Sequence, residues 1–125
     1  NLFLDTLPYN AHTTASDALR MGVPVVTLIG KSFASRVAAS LLNAVNMPEL
    51  ITSTLEQYES LAIELASNSE KLDMIKKRLI NNLPSSALFN CQAFTKNLEL
   101  AFHEIYQRSQ SGLKPDHFEV KNLTD

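Results

Sequence analysis

Two short apolar runs bracket a helix pattern near the start of the chain, and this arrangement narrows the possible folds more than any other feature. Leu2-Phe3-Leu4 and Val25-Val26-Thr27-Leu28-Ile29 are rich in β-formers and too short for helices, so both read as buried strands. Between them, residues 14–21 carry the helix formers Ala18, Leu19, Arg20 and Met21, and the pattern stops at Gly22 with Pro24 just beyond. A strand, helix and strand in this order make the two strands parallel and the crossover right-handed. That connection belongs to an open α/β sheet with helices on its faces.

After the second strand the character changes. Residues 35–43 (Ser-Arg-Val-Ala-Ala-Ser-Leu-Leu-Asn) form a helix pattern, and no later run reads as a strand. Leu55, Tyr58, Leu61, Ala62 and Leu65 keep helical spacing, Leu72, Ile75, Leu79 and Leu83 do so again, and Phe94, Leu98, Ala101 and Ile105 make a third stripe. Each stripe reads as a packing face. Pro84-Ser85-Ser86 separates the second from the third, and the stretch from Gln107, with Gly112 and Pro115, reads as a loosely ordered polar tail. The expected division is residues 1–109 as an α/β piece with C-terminal helices and residues 110–125 as the tail. Two strands alone would leave a sheet without neighbours. The expectation is therefore that further strands lie upstream of Asn1 and that the chain is the end of a doubly wound domain, in keeping with a start that is not Met.

Charge and composition remove several function classes. The 11 basic and 13 acidic residues are interspersed, and no basic stripe exists to track a phosphate backbone, so nucleic acid is not an expected partner. No apolar run approaches the roughly 18 residues that span a bilayer, so no membrane association is expected. Cys91 is the single cysteine; it has no disulfide partner, which suits a cytoplasmic protein, and no neighbouring His or basic cluster activates it. It reads as a buried or semi-buried thiol. His12, His103 and His117 lie far apart with no ligand spacing, so no metal and no cofactor are expected.

The chemistry concentrates in the segment Leu7-Pro8-Tyr9-Asn10-Ala11-His12-Thr13-Thr14-Ala15-Ser16-Asp17, which leaves a strand and opens a helix. Ligands of open α/β sheets bind beyond the carboxyl ends of the strands, where a helix start offers free N–H groups and the positive end of its dipole. A diphosphate fits there without a cation from the chain. His12 and the hydroxyls of Thr13 and Thr14 add donors, and Asp17, one turn on, can accept from two vicinal sugar hydroxyls. The same residues also read as a helix start and nothing more, because Thr14-Ala15-Ser16-Asp17 matches a variant capping box with Thr14 as the cap. The two roles are compatible. Gly30-Lys31-Ser32 is not a phosphate loop, since that pattern needs glycine where Val25 stands. Arg36, at the start of the next helix, reads as a surface ion-pair residue within range of an anion.

Four strings in order, Phe3-Leu4-Asp5-Thr6, His12 to Leu19 (His-Thr-Thr-Ala-Ser-Asp-Ala-Leu), Gly22-Val23-Pro24-Val25-Val26-Thr27 and Ala34-Ser35-Arg36-Val37-Ala38-Ala39-Ser40, resemble the C-terminal catalytic region of O-linked N-acetylglucosamine transferases, including SPINDLY-type and bacterial relatives. The similarity continues through Glu49-Leu50-Ile51, Gln57-Tyr58, Leu88-Phe89-Asn90 and Lys114-Pro115-Asp116-His117. It implies a GT-B architecture, with this chain as the C-terminal part of the second Rossmann-like domain, helix-rich and with about two parallel strands. It also implies metal-independent, inverting transfer of N-acetylglucosamine from UDP-GlcNAc to Ser/Thr of proteins. In the family the His-Thr-Thr element holds the UDP diphosphate and the aspartate after it the ribose, which maps onto His12, Thr13, Thr14 and Asp17. Animal members have Gly where this chain has Ala15.

The catalytic base and base-recognition residues of the family lie upstream, as do the tetratricopeptide repeats that present the protein acceptor, so no catalytic residue is expected in this chain and no activity of it alone. Two other readings remain open from sequence. The same fold can use GDP-fucose or UDP-glucose, and a non-catalytic helical interaction module would use the Thr14 to Asp17 element only as a cap.

Overall fold

A computed structural model describes residues 1–120 of the chain. They form two compact units, residues 1–88 and the segment from Phe89 onward. The first holds three parallel strands in the order β1 (Phe3–Leu4), β2 (Val25–Leu28), β3 (Ile51–Thr52), with Phe3 opposite Val25 and Thr27 opposite Ile51. The expected α/β class holds, with one strand more than the sequence reading. β3 escaped because it has only two residues, between the turn Pro48–Leu50 and the next helix, too few to show any period.

Helix α1 (Thr13–Arg20) joins β1 to β2 and ends in a tight reversal. Gly22 takes φ 71°, its N–H donates to Leu19 O, and Val23 N–H reaches back to Ala18 O. Only a residue without Cβ holds that conformation cheaply, which is why the helix stops there. After β2 come a turn at Phe33–Ser35 and α2 (Val37–Ala44), then α3 (Leu55–Ser67) and α4 (Ser69–Asn82) follow β3. Thr54 caps α3 through Gln57 N, and Asn68 caps α4 through Lys71 N.

Three successive residues of β2, Val25, Val26 and Thr27, are fully buried, so helices cover both faces of this strand. Ala15 and Leu19 of α1, Ala38, Ala39 and Leu42 of α2, Leu65 of α3 and Leu79 of α4 pack into the core with Val45, Met47 and Leu50. Each fully buried Leu contributes about 1.5–3 kcal/mol. Asn82 fastens the end of α4 by donating to Val45 O (3.0 Å) and Asn46 O (3.2 Å), and Arg78 pairs with Glu49.

In the second unit, α5 (Cys91–Gln110) starts at Asn90, whose side chain accepts from Ala93 N. Cys91 is exposed, contrary to the buried or semi-buried thiol read from sequence: it is the first helical residue, and α5 buries no residue at all. The helix runs three residues past the expected tail start at Gln107. Arg108 then donates to Lys114 O and pairs with Asp116 at 3.7 Å, folding the following segment back along the helix end. Among the described residues, no helix is long and apolar enough to cross a membrane.

Candidate functional site

The site is built at the carboxyl edge of the sheet, where the loops after the strands converge. β1 gives way to Asp5, which is 5% exposed; its N–H still bonds Val26 O at 3.0 Å while its side chain turns inward. The Asp5 carboxylate organises the whole loop: Oδ1 accepts from Thr6 N (2.9 Å) and Ala11 N (2.7 Å), and Oδ2 from the Thr27 hydroxyl (2.6 Å) on β2. Thr52 on β3 donates in turn to Thr27 O at 2.9 Å. From α3, the Tyr58 hydroxyl donates to Asp5 O at 2.8 Å; partial burial, and then the charge of Asp5, raise its pKa above the ordinary tyrosine value.

Within the loop, the Thr6 hydroxyl donates to Tyr9 O and the Asn10 amide to Thr6 O. Asn10 is 1% exposed, and its backbone N–H crosses to Ala34 O at 2.9 Å. That bond ties the first loop to the turn after β2. Gly30 permits the close packing of this turn: a Cβ there would stand 2.3 Å from Ser35 Oγ and 2.6 Å from Ser35 Cβ. Arg36 donates to Gly30 O at 3.0 Å, so its guanidinium braces the turn, where the sequence suggested an ion pair.

This frame delivers His12 to the mouth of α1. His12 is the N-terminal flanking residue of the helix; its carbonyl accepts the first intrahelical bond from Ser16 N, and its side chain makes no capping hydrogen bond. The capping box read at Thr14 is therefore corrected. The chain enters the helix two residues earlier, which puts Thr13 and Thr14 in the first turn and leaves its N–H groups without a side-chain cap. Tyr9 stacks on the His12 ring (centroids 4.9 Å apart, planes at 22°), and Phe33 meets it at 90° with centroids 6.3 Å apart. His12 Nε2 is buried without a hydrogen-bond partner, as is Asn10 Oδ1.

All four residues singled out by the sequence fall together here. Thr13, Thr14 and Asp17 are exposed on α1, while Ala15 and Leu19 of the same helix are buried. Among the described residues, the two threonine hydroxyls and the Asp17 carboxylate make no hydrogen bond or ion pair of the kinds that hold Asp5. Sequence reasoning gave no role to Asp5, Tyr9, Asn10 or Phe33. Asp5 had a legible signal, a carboxylate directly after a buried strand; the others act through contacts between loops far apart in sequence.

The model of glycosyl transferase family 41 matches residues 1–98. The chain is 38% identical over 96% of its length to the Arabidopsis thaliana protein named "Probable UDP-N-acetylglucosamine--peptide N-acetylglucosaminyltransferase SEC", and 36% identical over 98% of its length to the Caenorhabditis elegans UDP-N-acetylglucosamine--peptide N-acetylglucosaminyltransferase. It spans 12% and 10% of those two proteins. A solved O-GlcNAc transferase mutant from Thermobaculum terrenum superposes with a TM-score of 0.81 at 37% identity, covering 89% of this chain and 22% of that one. On sequence and fold together, the chain belongs to glycosyl transferase family 41.

Proposed function

We propose that this chain is the donor-binding end of a protein O-glycosyltransferase, which moves N-acetylglucosamine from UDP-GlcNAc to Ser/Thr hydroxyls of proteins by an inverting, metal-independent reaction. One observation carries the reading: an imidazole, two hydroxyls, a carboxylate and an uncapped helix start gather at the carboxyl edge of a parallel sheet. The names of the relatives, transferases from UDP-N-acetylglucosamine to peptide, support the donor and the acceptor.

In such a transfer the acceptor oxygen bonds to the anomeric carbon from the face opposite the leaving group, while the bond from that carbon to the β-phosphate oxygen breaks. Negative charge then grows on the diphosphate, and fixed donors aimed at it lower the barrier. His12, the Thr13 and Thr14 hydroxyls and the first-turn N–H groups are those donors, and the helix dipole adds the same sign. They take the place of a divalent cation, hence the expected metal independence. Asp17, one turn along, accepts from the ribose hydroxyls. His12 Nε2 has no hydrogen-bond partner within the protein, so its hydrogen-bonding capacity is left for a phosphate oxygen. No residue of this chain is assigned as the base that takes the acceptor proton.

The test is sugar transfer to an acceptor peptide by the full-length polypeptide that carries this chain. A lost hydrogen bond to a charged group costs about 1.5–3 kcal/mol, so His12→Ala lowers kcat/KM by about 10- to 150-fold, and EDTA leaves the rate unchanged. Full activity of His12→Ala, or a strict requirement for Mn2+, contradicts the reading.

A further inference from the structure

The His12 ring is placed by aromatic contacts and not by hydrogen bonds. A functional histidine is ordinarily oriented by a hydrogen bond to its second ring nitrogen, which fixes both tautomer and rotamer. Among the described residues, neither nitrogen of His12 makes one; instead Tyr9 lies against the face of the ring and Phe33 meets it edge-on. Both rings are far from core positions, with Tyr9 63% and Phe33 82% exposed. Their burial therefore does not explain them, while their geometry around one imidazole does. They also come from different strands' loops, and the Asn10 N to Ala34 O bond beside them fixes the distance between those loops.

We propose that Tyr9 and Phe33 are positioning residues that bracket the His12 imidazole and hold it in the orientation from which it donates to the donor diphosphate. The inference rests on the donor-site reading above and adds two residues to it. Offset-stacked and edge-to-face pairs favour one relative orientation beyond simple area burial. The bracket thus restricts the ring before ligand arrives, and the entropy of ordering it is already spent when the phosphate binds. Tyr9 acts here through its ring face, which stacks on the imidazole.

The experiment measures UDP and uridine affinity by calorimetry on the full-length polypeptide, for Tyr9→Leu, Tyr9→Phe, Phe33→Ala and His12→Ala and for Tyr9→Leu combined with His12→Ala. Phe33→Ala removes a mostly exposed ring, so folding is not at stake. UDP affinity is expected to fall about three- to tenfold in Tyr9→Leu and Phe33→Ala, with uridine affinity unchanged and Tyr9→Phe behaving as the unsubstituted protein. In the His12→Ala background, Tyr9→Leu costs nothing further, because a residue acting through His12 has nothing left to act on. Equal losses for UDP and uridine, or a Tyr9→Leu effect that persists without His12, overturn the inference. UDP binding that His12→Ala weakens but Tyr9→Leu and Phe33→Ala leave alone overturns it by itself; UDP binding indifferent to His12→Ala removes the donor-site reading and this inference with it.

Discussion

Replacing Asp5 with alanine should be the most damaging single change near the site, although Asp5 touches no ligand in the proposed arrangement. Asp5 is 5% exposed, and its carboxylate accepts three hydrogen bonds, from Thr6 N, Ala11 N and the Thr27 hydroxyl. Deleting it leaves two loop amides and a buried hydroxyl without acceptors. Hydrogen bonds to a charged group contribute about 1.5–3 kcal/mol each, but the loop relaxes and water reaches Thr6 N, so a loss of about 3–5 kcal/mol is expected. Asp5→Asn keeps the shape: its oxygen still accepts from the two amides, and its NH2 donates to Thr27 Oγ1, so the cost falls to about 1–2 kcal/mol. The assay is urea denaturation followed by circular dichroism, with hydrogen exchange at the Ala11 amide as a local reporter. Protection at Ala11 should collapse in Asp5→Ala more than in the rest of the sheet. Stability of Asp5→Ala within about 0.5 kcal/mol of the unsubstituted protein would refute the idea that this carboxylate holds the loop and, through it, His12.

Thr14→Ala separates cap from ligand site: Thr14 lies inside the first turn, so stability should change by less than about 0.5 kcal/mol in urea while UDP affinity drops. Gly30→Ala drives a Cβ to 2.3 Å from Ser35 Oγ, and the displaced turn should cost about 1–3 kcal/mol by denaturation. Tyr58 resists ionisation in the folded state, mainly by burial and then by the charge of Asp5, so its neutral form favours folding below the ordinary tyrosine pKa. Stability should therefore fall as the pH rises above about 10, where the unfolded tyrosine ionises first, and Tyr58→Phe should remove that part of the fall in a pH series of melting curves.

The strand, helix and strand at the start were legible because local signals agreed: β-formers in short runs, then helix formers closed by Gly22. The positions of His12, Thr13, Thr14 and Asp17 on one helix start followed from the same pattern. What was hidden depends on contacts distant in sequence. β3 exists because Ile29 N bonds Thr52 O and Thr52 donates to Thr27, and two residues cannot announce that. The cap was misplaced because Thr14 and Asp17 carry capping-box spacing, whereas the Asp5-centred loop brings the chain into helical geometry at His12. Cys91 was read as a buried or semi-buried thiol because no His or basic cluster adjoins it in sequence, which says nothing of the face a helix start turns outward.

The central claim, that one helix start grips both pyrophosphate and ribose, is tested most directly by calorimetric titration of the full-length polypeptide with UDP and with 2′,3′-dideoxy-UDP. The account predicts that Asp17→Ala weakens UDP about tenfold but leaves the dideoxy compound unaffected, while Thr13→Val with Thr14→Val weakens both. Equal affinities for all three proteins, or an Asp17→Ala loss that is the same for both nucleotides, would contradict it.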